Sequence, residues 1–231
     1  MREFTEQELV RREKLKNIQN PYPDRFEINT EIKDARELPD GTTDVRVAGR
    51  IVLMRKMGKM SFLTIGDIGG KIQISVKMDM IGEEAYQAFK QNYDLGDFIG
   101  VLGEVFTTHT GEKTIRASEI TFLGKALRPL PEKFHGLEDQ EMIYRERYVD
   151  LIMNDEAKKK FLFRSAFIRE LRNYLNDLGY VEIETPILNN KASGATAKPF
   201  ITHHNALDID LYLRIAPETY LKRAIIGGFT K

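Results

Sequence analysis

Two features of this sequence could do chemistry, and the first is a carboxylate near the start of a helix. Glu218 follows Ala216 and Pro217, directly after residues 209–214, where apolar and polar side chains alternate as in a half-covered strand. Proline is favoured at the first helical position, so Glu218 falls in the first turn, where the helix dipole stabilises a carboxylate. The pattern allows an ordinary helix-start acid or a carboxylate held toward a cleft.

The second feature is an aromatic ring beside an amide on a sheet. Residues 61–65 and 71–77 alternate as two strands, which puts Phe62 and Gln73 on the outer face. There the ring could stack on a nucleic-acid base and the amide could bind a base edge. Alternatively, the N-terminal helix or a neighbouring domain covers Phe62, and the alternation alone favours neither.

The sequence around these strands is basic although the chain as a whole is neutral. Seven Lys or Arg residues and one Asp lie between positions 46 and 77, whereas the full chain has 35 basic and 35 acidic residues. A local excess of this kind suits phosphate contacts. Because it coincides with the face of Phe62 and Gln73, it favours nucleic-acid binding over an ordinary solvated surface.

The elements that would position these residues follow a recognisable order. A capping box at Thr5–Glu8 predicts a helix to about Asn20, before Pro21. Five strands are predicted at 45–53, 61–65, 71–77, 98–106 and 113–123, with a helix at 82–92 between the third and fourth. This is the order of an OB-fold barrel, which binds oligonucleotides on its strand 2–3 face and through the loops after strands one and four.

The remainder of the chain mixes helices and strands. One helix is predicted from Glu138 to Met153, and another from Asp155 to a glycine stop at Gly179. The second helix carries an apolar stripe that the pattern alone assigns to an ordinary core: Phe161, Ile168, Leu171, Leu175 and Leu178.

Extended segments and a small-residue loop follow the long helix. A strand is predicted from Tyr180 to Glu184, ended by Pro186, and residues 199–214 read as strand, turn and strand. Between them, Gly194 lies in a loop where glycine permits close approach of a ligand to the backbone, although most such loops are only turns.

Composition excludes several classes of protein. The chain has no cysteine, so it has neither disulfides nor thiolate zinc sites, which fits a reducing, cytoplasmic compartment. Its histidines, His109, His135, His203 and His204, lack metal-ligand spacing, because the adjacent pair would point to opposite faces of a strand. We expect no bound metal, no signal peptide and no membrane span.

Residues 199–223, PFITHHNALDIDLYLRIAPETYLKR, closely resemble the class II lysyl-tRNA synthetases, in which THHNALD and RIAPE-YLKR are near-diagnostic. The RYVDL string at 147–151 belongs to the same family. Aspartyl- and asparaginyl-tRNA synthetases share the OB-plus-class-II plan but lack the HHNALD and RIAPE strings. Elongation-factor lysine ligases have no OB domain, which this chain is predicted to have.

The resemblance assigns roles on the OB domain, which in this family reads the U-rich anticodon of tRNA(Lys). The stacking phenylalanine corresponds to Phe62, and the two base-reading residues correspond to Gln73 and Glu112. The arginine that contacts the RNA backbone corresponds to Arg55.

The resemblance also assigns roles in the second domain. Gly194 and Glu218 would bind the substrate lysine, with Glu218 at its α-amino group. Pro186 ends the family's motif 1, which forms the dimer interface, so a homodimer is implied. The pocket loop departs from the family pattern twice, at Ser193 and Lys198.

The implied fold is α+β, an OB barrel followed by the truncated start of a class II antiparallel-sheet catalytic domain. The expected divisions are 1–43 (lead-in), 44–124 (anticodon-binding domain), 125–154 (linker) and 155–231 (start of the catalytic domain). The family is a lysine–tRNA ligase that uses ATP and Mg²⁺. Its motifs 2 and 3 are missing from this sequence, so we expect no catalytic residue here and an inactive chain; the alternative is a non-catalytic tRNA-binding module.

Overall fold

The computed structural model describes residues 3–131, 139–192 and 194–231. The chain divides into two compact units, Met1–Asn154 and Asp155–Lys231. The first contains a closed five-stranded barrel and the second a three-stranded sheet with helices, which confirms the predicted mixed α+β class. Within the described ranges, no helix combines the length and the apolar character needed to cross a membrane.

The barrel closes in the order predicted for an OB fold. Strand β1 pairs with β2 and β4, β2 pairs with β3, and β3 runs parallel to β5, giving the closed order β1-β2-β3-β5-β4. The strands are β1 (Val45–Lys56), β2 (Met60–Gly66), β3 (Lys71–Lys77), β4 (Phe98–Thr107) and β5 (Lys113–Gly124). Closure removes the unpaired edges of an open sheet.

The barrel core follows from the two-residue period of its strands. Inward-facing side chains of all five strands are buried, among them Val47, Ile65, Ile74, Val101 and Ile115. A bulge in β1 between Ile51 and Leu53 changes the pairing, so that Leu53 lies opposite Thr64. Strand β1 continues through Lys56, three residues beyond its predicted end at Leu53.

Helix α1 (Glu6–Lys16) has the predicted capping box at its start. It ends about a turn before Asn20, since Asn17 is a poor helix former and Pro21 disfavours the helical conformation of the residue before it. Arg11 donates to the carbonyls of Leu95 and Ala126 at 3.1 and 2.6 Å. These bonds fix α1 to the segments on either side of β4 and β5.

Three short helices precede or connect the strands of the barrel. They are α2 (Ile32–Ala35), α3 (Met78–Ile81) and α4 (Glu83–Asn92). In α4, Tyr86 and Phe89 are buried, whereas Ala85 is exposed. Tyr86 is also tied to β2 through its hydroxyl, 2.9 Å from Ser61.

The single helix predicted from Glu138 to Met153 is wrong; Glu138 itself lies outside the described residues. Two helices, α5 (Gln140–Arg145) and α6 (Arg147–Met153), meet at Glu146, whose backbone is not helical. No residue of α5 is buried, whereas α6 buries Val149 and Asp150. Periodicity alone did not encode this break at Glu146.

The second unit contains α7 (Asp155–Asp177), a small antiparallel sheet and α8 (Glu218–Ile226). The sheet order is β6-β8-β7, with β6 at Leu188–Asn189, β7 at Ile201–His204 and β8 at Ile209–Leu213. The strand, turn, strand and helix predicted from residue 199 onward are confirmed, although Pro217 takes the N-cap position just before α8.

Two expectations for this unit are wrong. Residues 180–184 form no strand, because a strand needs a paired neighbour and Val181 makes a single long bond, 3.4 Å, to the Lys231 carbonyl. The apolar stripe of α7 is not an internal core either, since Phe161 and Leu171 are each 47% exposed.

Candidate nucleic-acid interface

An open groove of about 820 Å³ lies on the barrel face formed by β2, β3 and β5. Of the residues singled out from the sequence, Arg55, Phe62 and Gln73 line it. The rim is completed by residues 107–110, at the end of β4 and in the loop that leads to β5. The groove therefore occupies the position at which an OB fold binds single-stranded nucleic acid.

Strand register arranges the side chains of this face in two rows across the barrel. In each row, residues on neighbouring strands lie directly opposite one another, so their side chains share one face. The first row is Arg55, Phe62, Ser75, Arg116 and Glu104. The second row is Leu53, Thr64, Gln73, Thr114 and Phe106.

Phe62 is half-buried in the first row, with its inward neighbours Ser61 and Leu63 in the barrel core. No residue of α1 lines the groove, and the bonds from Arg11 place that helix against Leu95 and Ala126 instead. The N-terminal helix is therefore not what covers Phe62. Its ring is available to stack on a planar ligand.

The amide of Gln73 is held in one orientation by a chain of hydrogen bonds. Gln73 Nε2 donates to Thr114 Oγ1 at 3.0 Å, and Thr114 Oγ1 donates to the Glu112 carbonyl at 3.1 Å. Because the threonine proton is used on the carbonyl, its oxygen accepts from the amide nitrogen. The amide oxygen of Gln73 is left to accept a hydrogen bond from a ligand.

Glu112 belongs to the β4–β5 hairpin, where Gly111 has a positive φ of 81°. The Thr108 hydroxyl accepts from the Glu112 amide at 3.0 Å, which fixes the backbone of the turn. The Glu112 side chain is exposed and does not line the groove, although Thr110 does. Three of the four predicted anticodon-binding residues therefore meet in the groove, and Glu112 lies beside its rim.

The lining of the groove is basic. Arg55, Lys77 and Arg116 contribute three cations, and none of the aspartates or glutamates that the structure describes lines it. A cationic groove with an exposed ring suits a phosphate-linked chain of bases.

Sequence reasoning did not single out Phe106, Ser75 or Arg116 as site residues. They face the groove because β3 pairs in parallel with β5, which brings Ser75 opposite Arg116. Outward positions on each strand are visible from alternation. Their grouping depends on a non-local register for which the sequence carries no signal.

In the second unit, the structure brings Gly194 close to the segment that precedes Glu218. Gly194 has a φ of 99°, and a Cβ added there would lie 2.9 Å from the Ala216 carbonyl oxygen. Only glycine fits this approach. Lys198, in the same loop, is exposed, and Ser193 lies outside the described residues.

The carboxylate of Glu218 is exposed at the start of α8. Lys222 donates to it at 2.6 Å from one turn further along the helix. This hydrogen bond, with the charge of Lys222, holds the pKa of Glu218 below its usual value. The side chain is thus an ionised carboxylate, suited to an ammonium group, two residues after the Ala216 carbonyl that faces Gly194.

Pro186 lies where the chain enters the small sheet. Arg214 donates from Nη1 to the carbonyls of Thr185 and Pro186 at 2.6 and 3.4 Å. The Arg214 amide donates to the Ile187 carbonyl at 2.8 Å. These bonds fix the segment after α7 beside β8.

Comparison with protein families gives two matches along the chain. Residues 45–123 match the family described as an OB-fold nucleic acid binding domain. Residues 139–231 match the family described as class II tRNA synthetases for D, K and N. The first match covers the barrel and its groove, and the second covers the loop of Gly194 and the start of α8.

Curated relatives extend the similarity over nearly the whole chain. A lysine–tRNA ligase of Lysinibacillus sphaericus is 52% identical over 99% of this chain and 48% of its own length. Those of Dechloromonas aromatica and Enterococcus faecalis are 56% and 50% identical, over 86% and 100% of this chain and 40% and 49% of their own lengths.

The chain therefore spans about half the length of the relatives it matches. The matches cover both the barrel and the second unit, and they agree with the THHNALD and RIAPE strings. Over nearly its whole length the chain is homologous to lysine–tRNA ligases, and its second unit matches the class II tRNA synthetases for D, K and N.

Proposed function

We propose that this chain reads the anticodon of tRNA(Lys) with the barrel groove, as part of a protein that joins lysine to that tRNA. The observation that carries the proposal is the groove itself, where the Phe62 ring, the oriented Gln73 amide and three cations face one open space. The names of the curated relatives supply the identity of the tRNA and of the amino acid.

The bases would be recognised by stacking and by one directed hydrogen bond. One base stacks on Phe62, and the Gln73 amide oxygen accepts from the N3–H of a uracil. Cytosine has an acceptor at N3, so it would face the amide oxygen without a bond. Arg55 contacts the RNA backbone, and Glu112 reaches a base from the rim of the groove.

In the second unit, we propose that Gly194 and Glu218 form part of a lysine site, with the Glu218 carboxylate binding the α-amino group. The exposed apolar face of α7 and the segment ending at Pro186 support a dimer interface of the class II kind. As a component of translation, the protein would act in the cytoplasm.

The family's chemistry uses ATP and Mg²⁺ to form lysyl-adenylate. Across residues 3–131, 139–192 and 194–231, no group of three or more His, Cys, Asp or Glu side chains could hold a metal ion. We assign no residue of this chain to ATP or Mg²⁺, and no catalytic step is derived through them.

Binding of the anticodon stem-loop of tRNA(Lys) tests the anticodon proposal. Phe62→Ala is expected to weaken binding by about 1–3 kcal/mol, the usual cost of losing one base–aromatic stack. Fluorescence anisotropy with a labelled stem-loop measures it. The matched control is Phe98→Ala, because Phe98 is a partly exposed barrel phenylalanine outside the groove. Equal affinities for Phe62→Ala and the wild-type chain would contradict the assignment.

A second candidate is a tRNA-binding module that does not catalyse. It is favoured by the contrast between the barrel, which buries its own core, and the second unit, whose large apolar side chains are exposed or only partly buried. Lysine-dependent ATP–pyrophosphate exchange by these 231 residues would eliminate it.

A further inference from the structure

A buried hydroxyl on the groove floor has no hydrogen-bond partner among the described residues. Ser75 is only 1% exposed, and its Oγ is unpaired. It lines the groove between Phe62 on β2 and Arg116 on β5. A buried polar group that lines a groove is satisfied by water or by a polar group of a bound ligand, so Ser75 is a candidate ligand contact.

Beside Ser75, an arginine and a phenylalanine form a flat surface. The guanidinium carbon of Arg116 lies 4.6 Å from the centre of the Phe106 ring. Arg116 Nη1 also donates to Glu104 Oε2 at 3.2 Å, which limits rotation of the guanidinium. Guanidinium and aromatic planes are both surfaces on which RNA bases stack.

The spacing of the strands sets how these features can be used together. Phe62 and Arg116 stand on strands two steps apart in the barrel, with Ser75 on the strand between. Two strand spacings amount to about 10 Å. That separation leaves room for neighbouring bases of one strand on two different platforms.

We propose that Arg116 and Phe106 form a second base platform in the groove, and that Ser75 donates or accepts a hydrogen bond with the nucleotide held between the platforms. The proposal rests on the proposed function, because its ligand is the same single-stranded RNA. It adds a base position separate from that of Phe62.

The experiment uses the 231-residue chain and anticodon stem-loops in which each anticodon base is removed in turn. For the intact stem-loop, Phe106→Ala and Arg116→Ala are each expected to weaken binding about 5- to 150-fold. Each variant should bind as tightly as the wild-type chain to the stem-loop that lacks the base stacked on the second platform. The base whose removal abolishes the effect of Phe62→Ala should be a different one.

Three further variants separate stacking from charge and from folding. Arg116→Lys keeps the charge but loses the planar group, so it should still weaken binding. Ser75→Ala should weaken binding about 2- to 10-fold without lowering the urea midpoint, because its hydroxyl has no partner in the free protein. The control is Phe98→Ala, whose ring stacks under Arg50 at 4.1 Å outside the groove; it should bind as the wild-type chain does.

The outcomes distinguish this inference from the proposed function. If Phe62→Ala weakens binding while Phe106→Ala and Arg116→Ala do not, the second platform is overturned and the anticodon groove stands. If removal of one and the same base abolishes the loss of affinity in both Phe62→Ala and Phe106→Ala, the two rings serve one site and the inference fails. If none of the three variants changes affinity, the proposed function fails as well.

Discussion

The two units of this chain use their apolar side chains in opposite ways. In the barrel unit, Ile51, Ile65 and Ile74 are fully buried, and each strand pairs with two neighbours. In the second unit, Phe163 and Phe200 are 73% and 79% exposed. Among the described residues after 154, only Ala157 and Asn189 are buried.

The difference shows that a unit can form helices and strands without burying an apolar core. Both units contain well-formed helices and antiparallel strands, but only the barrel closes its sheet around apolar side chains. The small sheet β6-β8-β7 keeps two outer strands and leaves its helices with apolar faces uncovered. Exposed apolar surface of this extent is unusual for a monomeric soluble protein.

The largest effect is expected at a buried ion pair in the barrel unit. Lys125 Nζ donates to Asp97 Oδ2 and Asp94 Oδ2 at 2.7 Å, and the side chains of Lys125 and Asp97 are fully buried. Burial raises the pKa of Asp97. Lys125→Ala would leave this carboxylate uncompensated, so we expect a loss of about 3–5 kcal/mol in urea unfolding.

The control for Lys125→Ala is Lys222→Ala in the second unit. Lys222 also bonds a carboxylate, Glu218, at 2.6 Å, but both side chains are more than half exposed. It should leave the unfolding curve almost unchanged, because water solvates the freed carboxylate. Equal losses of unfolding free energy in Lys125→Ala and Lys222→Ala would mean that burial does not determine the contribution of an ion pair in either unit.

A slightly smaller effect is expected when apolar side chains are truncated. Ile74→Ala opens a cavity in the barrel and should cost about 2–5 kcal/mol. Leu171→Ala removes a side chain of α7 that is 47% exposed and should cost no more than about 0.5 kcal/mol in dilute protein. If Leu171→Ala is as damaging as Ile74→Ala, the α7 stripe is covered in solution.

The smallest effect concerns two pKa shifts with different causes. Burial raises the pKa of Tyr93 to about 12. The hydrogen bond and the charge of the exposed Lys222 side chain lower the pKa of Glu218. About 1 M salt should return the pKa of Glu218 toward its usual value and leave that of Tyr93 unchanged, since salt screens exposed charges but does not reverse burial. NMR titration of both side chains measures this, and a salt-sensitive Tyr93 would contradict it.

The raised pKa of Tyr93 also predicts how the free energy of unfolding changes at high pH. The phenol ionises more readily in the unfolded chain than in the fold, so stability is full below pH 10 and falls as the pH rises toward 12. Tyr93→Phe should reduce that fall in urea unfolding. If the alkaline loss is the same in both proteins, Tyr93 does not contribute to it.

Local patterns predicted the barrel well, because long stretches of its strands alternate between buried and less buried residues. Alternation placed Leu63 and Ile74 in the core and Phe62 and Gln73 on the outer face, as observed. The same reasoning failed for residues 180–184 and for the apolar stripe of α7. A strand predicted at 180–184 cannot form without a neighbour, and the α7 stripe cannot be a core without something that covers it.

By itself, the sequence determined the family, the strand order and the outward positions on each strand, because these depend on local periodicity and on strings such as RIAPE. Only the tertiary structure decided which outward positions become neighbours. The parallel pairing of β3 with β5 sets Ser75 beside Arg116 and orients Gln73 through Thr114. Residues about 40 positions apart along the chain thereby form one groove, since register between distant strands is fixed by closure of the whole barrel.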